Sequence, residues 1–255
     1  MEYLDVLWWL CPGLFIAGLV DAIGGGGGLI SIPLYMMAGL PIRTVYGCNR
    51  FQYFVGSTAT AWRFSKDGFL DVKAAVLSGV GAALGAVAGI RIVYLLTDEQ
   101  VRTLLLIALP LAAIFSVFGK KLWGHTNLRC DFSSRRNRLL LFFCGFFVGV
   151  YDGVIGPPGT TISIMLLSYF LKYDPRTASA NSRIVLMGST FVASVIYFLN
   201  GSILWQIALP CTVANLVGSY LGTGIAVKRG PGLVRYVAII VVLLYVGKTF
   251  LETFL

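Results

Sequence analysis

The sequence predicts an all-α integral membrane protein whose two halves form an inverted repeat. Each half is a broken or re-entrant helical hairpin followed by three transmembrane helices. Of the 255 residues, 57% are hydrophobic and only 12% are charged, about half the charged share of a soluble domain. Apolar stretches of membrane-spanning length fill nearly the whole chain. Glycine-rich breaks interrupt two of these stretches, 131 residues apart.

The predicted elements follow the same order in both halves. The first transmembrane repeat covers residues 1–119, a basic loop covers 120–137, and the second repeat covers 138–255. Apolar segments of the first repeat span 6–20, 29–38, 49–64, 72–96 and 101–119. Those of the second repeat span 138–151, 160–171, 181–199, 204–227 and 233–254.

Four matched features support the duplication, and their spacing drifts by only two residues. Asp21 matches Asp152, and Asn49 matches Asn181. The turn at 67–68 matches 200–201, and the glycines at 81, 85 and 89 match small residues at 214, 218 and 222. Small residues at this spacing let helix backbones approach closely in lipid.

The distribution of basic residues decides between two topologies. Residues 6–38 would form one helix of about 50 Å, too long for a single straight crossing of a bilayer core. If both broken segments are hairpins, 15 of the 20 Lys and Arg residues fall on one side of the membrane. If each crosses once, the sides hold 10 each. Cytoplasmic loops are enriched in Lys and Arg, which favours the hairpins.

The hairpin topology has a consequence for the symmetry of the protein. Each half then crosses the membrane an odd number of times, so the second half starts on the opposite side. The halves are therefore inverted repeats, as in many secondary transporters. This topology places both termini outside the cytoplasm and the 120–137 loop inside it.

The two breaks are candidate anion sites. They precede short apolar segments whose helix N-termini carry unpaired N–H groups and partial positive charge. The candidate residues are Gly25, Gly26, Gly27 and Gly28 in the first break, with Gly156, Gly159, Thr160 and Thr161 in the second. The alternative is a tight structural turn. No P-loop ending follows the glycines, which argues against nucleotide binding.

Polar residues open the segment after each hairpin. Asn49 with Arg50, and Asn181 with Arg183, occupy these duplicated positions. Their amide and guanidinium groups are suited to binding an anion directly. Alternatively, the asparagines cap helices and the arginines extend toward the membrane interface.

Asp21 and Asp152 place carboxylates at membrane depth beside these candidate anion sites. Carboxylates do not attract an anion, and three roles remain open. They could couple transport to H⁺ or Na⁺, cap the hairpins, or pair with Arg50 or Arg183.

The remaining composition argues against other functions. The net charge of +9 comes from basic loops that act as topogenic signals and contact anionic lipid, so we expect no nucleic acid partner. The five cysteines are scattered, and His125 is the only histidine. No catalytic triad or metal set can be built from them, so we expect no enzyme activity, cofactor or metal. The oligomeric state stays open.

The sequence around both breaks resembles the TauE/SafE sulfite exporter family, also called the toluenesulfonate uptake permease family. The motifs are GLVDAIGGGGGLISIP at 18–33 with GCNRFQ at 47–52, then GVYDGVIGPPGT at 149–160 with ASANSR at 178–183. Two departures concern Arg50 and Arg183, where family members usually carry Lys, and Gly-Pro-Pro-Gly, where Gly-Pro-Gly-Thr is commoner. The resemblance implies a bacterial-type inner-membrane transporter of sulfite, thiosulfate, sulfonates or related organic anions.

Together these features predict a secondary transporter of a small sulfur-containing anion such as sulfite, thiosulfate or sulfoacetate. Alternating access would take place around a midplane site, driven by the anion gradient, the membrane potential, H⁺ or Na⁺. The alternatives are an anion channel of the same architecture and a transporter of a non-sulfur organic anion.

Overall fold

The computed structural model describes residues 4–118, 130–157 and 159–229. These ranges contain nine α-helices, all joined by short turns or breaks apart from α5 and α6. They are α1 (Leu4–Gly24), α2 (Gly28–Met37), α3 (Ile42–Lys66), α4 (Val72–Leu95), α5 (Asp98–Phe118), α6 (Arg135–Val154), α7 (Gly159–Leu171), α8 (Pro175–Leu199) and α9 (Trp205–Arg229). The predicted segment 233–254, His125 and most of the basic loop lie outside the described residues.

Four of the described helices are long and apolar enough to cross a membrane, which agrees with an integral membrane protein. Their spanning parts are Asp5–Ile23, Val72–Leu95, Arg135–Val154 and Pro175–Leu199. The helices after the two breaks, α2 and α7, are also apolar but have only 10 and 13 residues. At about 1.5 Å per residue, neither can cross a bilayer by itself.

Helix α2 folds back along α1. A side chain added at Gly13 would lie 2.6 Å from Cδ1 of Leu34. Gly13 precedes the end of α1 by three turns, and Leu34 lies in the second half of α2. A straight continuation would hold these residues far apart, because each turn adds about 5.4 Å. The first broken segment is therefore a hairpin.

The second broken segment returns to its starting end as well. Asp71, just before α4, accepts hydrogen bonds at Oδ2 from the backbone N–H of Cys130 (2.9 Å) and the hydroxyl of Tyr173 (2.8 Å). Cys130 precedes α6 and Tyr173 follows α7, so both ends of this segment meet at one place, called here the Asp71 end. Burial raises the pKa of the Tyr173 phenol, which keeps it a hydrogen-bond donor to Asp71.

The opposite end of the bundle is marked by an exposed ion pair. Arg43, at the start of α3, lies 3.0 Å from the carboxylate of Asp98 at the start of α5. This place is called here the Arg43 end. A single crossing of the second break would put Tyr173 there, away from Asp71. Asp71, Cys130 and Tyr173 thus lie at one end of the bundle, and Arg43 and Asp98 lie at the other.

Glycine stripes join the long helices into close pairs. A side chain at Gly85 of α4 would overlap the carbonyl oxygen of Phe146 in α6, and one at Gly149 of α6 would overlap that of Ala82 in α4. In the same way, Gly218 of α9 faces the carbonyl oxygen of Phe15 in α1. The helix-packing role predicted for the small-residue stripes is what these contacts show.

Candidate functional site

The two breaks lie against each other inside the helix bundle. Gly25, Gly26 and Gly156 have φ values of +77°, +90° and +94°, which side-chain-bearing residues rarely adopt. A side chain at Gly28 would lie 2.8 Å from Cγ of Pro157, and one at Gly25 would lie 2.8 Å from Oγ1 of Thr161. The N-termini of α2 and α7 are therefore neighbours.

A buried ion pair joins α3 to the second break. Nη1 of Arg50 lies 2.8 Å from Oδ1 of Asp152, and the two side chains are only 3% and 4% exposed. Nη2 of Arg50 also donates to the backbone carbonyl of Asp152. The hydroxyl of Ser189 in α8 donates to the other carboxylate oxygen at 2.6 Å. The guanidinium therefore holds both the carboxylate and the backbone where α6 ends.

A second buried pair joins α8 to the first break. Nη1 of Arg183 lies 2.5 Å from Oδ2 of Asp21, and Nη2 donates to the Asp21 backbone carbonyl at 2.6 Å. Asp21 also accepts from the N–H of Gly27 at 3.2 Å and from Oγ1 of Thr160 at 3.3 Å. Each arginine thus pairs with the aspartate of the other half. Asp21 also bridges the first break through its hydrogen bond from Gly27.

A small cavity lies between the two breaks, with a volume of about 30 Å³, enough for about two water molecules. Nine of the sequence-predicted residues line it: Asp21, Gly26, Gly28, Asn49, Arg50, Asp152, Gly156, Gly159 and Thr160. Gly25, Gly27, Thr161, Asn181 and Arg183 are not among the residues that line it. The N–H groups of Gly25 and Gly27 already donate to Asp21.

Sequence reasoning missed four residues of the cavity wall. These are Tyr53, Pro157, Leu186 and Thr190. Tyr53 follows Asn49 by four residues and Thr190 follows Arg183 by seven, spacings that return to the same helix face. Extending the helical period from the two arginine motifs would have found both.

The two asparagines do not occupy equivalent positions. Nδ2 of Asn49 donates to Oγ of Ser31 in α2 at 2.6 Å. Oδ1 of Asn181 accepts from the backbone N–H of Asp71 at 3.1 Å, at the Asp71 end. In the first half, the thiol of Cys48 donates to the backbone carbonyl of Leu204, just before α9, at 3.9 Å.

These contacts correct the sequence alignment of the two halves after the breaks. Asn181 lies two residues before Arg183, as Cys48 lies two residues before Arg50. The structural counterpart of Asn181 is therefore Cys48, and that of Asn49 is Ser182. The match between Asn49 and Asn181 is wrong by one residue, because identical residue types were aligned without the helical register.

The arginines also change the count of loop charges. Arg50 and Arg183 are 3% and 1% exposed and lie beside the breaks, away from the turns. Removing one from each side leaves 14 basic residues against 4. The bias that favoured the hairpin topology is unchanged.

Three tyrosines lie between the cavity and the Arg43 end. The Arg50 guanidinium lies over the ring of Tyr46 at 5.7 Å, and Tyr46 stacks on Tyr197 with 6.1 Å between ring centroids. Tyr197 contacts Tyr94 at 5.9 Å, and the Arg43 guanidinium lies over Tyr94 at 5.1 Å. These contacts link Arg50 in the cavity wall to Arg43 through three packed rings.

Comparisons with known proteins agree with the membrane architecture. A family model described as "Sulfite exporter TauE/SafE" matches residues 10–249. A probable membrane transporter protein of Sinorhizobium is 26% identical over 238 residues, which covers 92% of this chain and 89% of the relative. A probable membrane transporter protein of Haemophilus influenzae is 24% identical over 242 residues, which covers 93% of this chain and 91% of the relative. The probable membrane transporter protein YfcA of Escherichia coli strain K12 is 23% identical over 226 residues, covering 89% and 82%. No solved structure matches.

Proposed function

We propose that this chain, which belongs to the sulfite exporter TauE/SafE family, is a secondary transporter of a small sulfur-containing anion. The chain is a membrane transporter by its family and its relatives. The substrate class proposed within that function is sulfite, thiosulfate or an organosulfonate such as sulfoacetate. The membrane proposed is a bacterial-type inner membrane.

The observation that carries the proposal is the position of Arg50. Its guanidinium lies in the wall of the cavity where the two breaks meet, and its Nε is buried with no hydrogen-bond partner in the described part of the chain. A planar guanidinium is well suited to binding sulfonate and sulfite oxygens. Asn49, Tyr53 and Thr160 supply further polar groups to the same wall.

The inverted repeat is part of this proposal. The first hairpin has its connection to α3 at the Arg43 end, the second has its connection to α8 at the Asp71 end, and their tips touch at Gly28 and Pro157. Two oppositely oriented hairpins that meet in the core support alternating access around one site. The tyrosines between the cavity and the Arg43 end support a conformation closed on that side.

The test is transport into proteoliposomes that contain the purified full chain. Labelled sulfite, thiosulfate, sulfoacetate and taurine form the substrate panel, and a carboxylate such as succinate tests the non-sulfur alternative. We expect saturable uptake of at least one sulfur anion, with counterflow exchange of the same anion. Absence of uptake of every sulfur anion, or preference for the carboxylate, would refute the proposed substrate class.

Two asparagine variants test the placement of the site. We expect Asn49→Ala to reduce affinity for the transported anion by roughly tenfold, the loss typical of a polar contact to a charged group. Asn181→Ala is the matched control, because its side chain lies at the Asp71 end away from the cavity. Equal effects of the two variants on affinity would contradict the proposal that Asn49, and not Asn181, lies at the anion site. Flux that lacks saturation and counterflow would favour the channel.

A further inference from the structure

We propose that the Arg50–Asp152 pair is a proton-coupling site, in which a proton binds to Asp152 and the transported anion replaces its carboxylate on Arg50. One proton then crosses with each anion. This inference rests on the proposed function, because it concerns how the same site is energised.

The charges around the cavity balance without an anion. Arg50 is paired with Asp152 and Arg183 with Asp21, and all four side chains are buried. An added anion would meet two carboxylates and two arginines that are already neutralised. Unbalanced charge in a buried site carries a large free-energy cost. One proton on one carboxylate removes that imbalance for a monovalent anion.

The two pairs are not equally suited to exchange. Asp21 accepts from Gly27 and Thr160 as well as Arg183, so its carboxylate holds both breaks in place. Asp152 accepts from Arg50 and Ser189, which belong to neighbouring helices. Arg50 lines the cavity, whereas Arg183 is not among the lining residues. The geometry therefore points to Asp152 as the proton acceptor and to Arg183–Asp21 as the structural pair.

The size of the cavity suggests how a proton reaches Asp152. Asp152 lies in the wall of a cavity of about 30 Å³, which water can enter. An organosulfonate is several times larger than a water molecule, so it needs the cavity to widen. Water in the cavity can therefore carry a proton to Asp152 while the cavity widens for the anion, so that Arg50 is not left as an unpaired buried charge. The proton neutralises the carboxylate that holds Arg50, and the guanidinium becomes available to the anion.

The groups facing Asp152 do not offer another counterion. Arg50 faces it from α3, Ser189 from α8, and α4 packs on this part of α6 through Gly85 and Gly89. The tyrosines near the pair are Tyr46 and Tyr151, with Tyr197 stacked on Tyr46. The rest of the cavity wall holds Tyr53 and Asp21, and Asp21 is already paired with Arg183. In the described chain, Arg50 is the cation paired with Asp152, so protonation of Asp152 and release of Arg50 are linked.

Transport of isethionate into proteoliposomes tests the coupling. Isethionate is a monovalent sulfonate whose charge is constant near neutral pH, so pH acts only on the protein. We expect a proton gradient, acidic outside, to accumulate isethionate inside. A membrane potential imposed at equal pH should have no effect, because a proton and a monovalent anion together carry no net charge.

The variant Asp152→Asn separates coupling from binding. Its amide resembles the protonated acid in charge and shape but cannot take up or release a proton. Accumulation driven by the proton gradient should fall at least tenfold. Asp98→Asn is the matched control, since it changes an Arg–Asp pair of the same type at the exposed Arg43 end, and it should accumulate isethionate as the unaltered protein does.

Calorimetry gives a second measurement that does not depend on transport. Isethionate binding to the solubilised protein is measured in buffers of different ionisation enthalpy, which reports the protons taken up with the anion. We expect uptake of one proton by the unaltered protein and none by Asp152→Asn. If isethionate does not bind, methanesulfonate, which is also a monovalent sulfonate, replaces it in both measurements.

The outcomes distinguish this inference from the proposed function. Anion transport driven by potential or by a sodium gradient, with no response to the proton gradient, would overturn the proton coupling and leave the proposed function intact. Unchanged proton uptake in Asp152→Asn would overturn the role of Asp152. Failure of every sulfur anion to bind or cross would overturn both.

Discussion

Arg50 and Arg183 hold equivalent positions in the two halves but have different surroundings. Both are buried and both pair with the aspartate of the other half. Only Arg50 is part of the cavity wall, and Asp21 carries additional contacts to Gly27 and Thr160. The internal symmetry of the sequence predicts equal roles for the two residues. Their different neighbours support the proposal that Arg50 binds the anion and that Arg183 holds the breaks in place.

A double-mutant cycle on Asp21 and Arg183 tests the structural pair. We expect Asp21→Ala and Arg183→Ala each to lower the free energy of unfolding by about 3–5 kcal/mol, because each leaves a buried charge without its partner. The double variant should lose less free energy of unfolding than the sum of the losses in the two single variants. Unfolding in mixed detergent micelles provides the measurement.

The same cycle on Arg43 and Asp98 is its control. That pair is exposed, with side chains 42% and 59% accessible, so its coupling energy should be below about 1 kcal/mol. A coupling energy between Asp21 and Arg183 no larger than this would contradict the structural role.

At the scale of elements, the breaks and the glycine stripes together determine which helices pack against each other. The breaks turn α2 and α7 back into the bundle, and the stripes bring α4 against α6 and α9 against α1. The sequence predicted both features from local composition, since glycine and proline interrupt helices and spaced small residues permit close packing. It did not predict which glycines reach the cavity, because that depends on how the two tips meet.

Substitution within a stripe tests the helix packing. We expect Gly85→Leu to lower the free energy of unfolding by about 1–3 kcal/mol, because its side chain would overlap the backbone of α6 at Phe146. Leu84→Ala is the control on the same helix, because Leu84 is 53% exposed. This variant should change the free energy of unfolding by no more than about 0.5 kcal/mol. Equal stability of Gly85→Leu and the unaltered protein in mixed micelles would contradict the packing.

At the scale of the whole molecule, the turns divide between two ends of the bundle. Asp71, Cys130 and Tyr173 meet at one end, while Arg43 and Asp98 meet at the other. The distribution of basic residues among the loops predicts the same division. The excess of basic residues on the side of the Asp71 end predicts that this end faces the cytoplasm.

Cysteine labelling in intact bacterial cells tests the orientation. In a background without the native cysteines, Glu99→Cys should react with a membrane-impermeant maleimide from outside. Asp67→Cys should react only after the inner membrane is permeabilised. Both positions are exposed and they lie at opposite ends, so each is a control for the other. The reverse pattern would show that the orientation is wrong.

The sequence by itself determined the membrane class, the two breaks, the helix-packing stripes and the division of the turns. These features depend on local composition and on charge, which are properties of each segment alone. Only the tertiary structure decided the partner of each arginine, the one-residue shift of Asn181 against Asn49, and the unequal access of Arg50 and Arg183 to the cavity. Those facts join residues more than 100 positions apart. They depend on how helix faces pack together, which a repeat within the sequence does not specify.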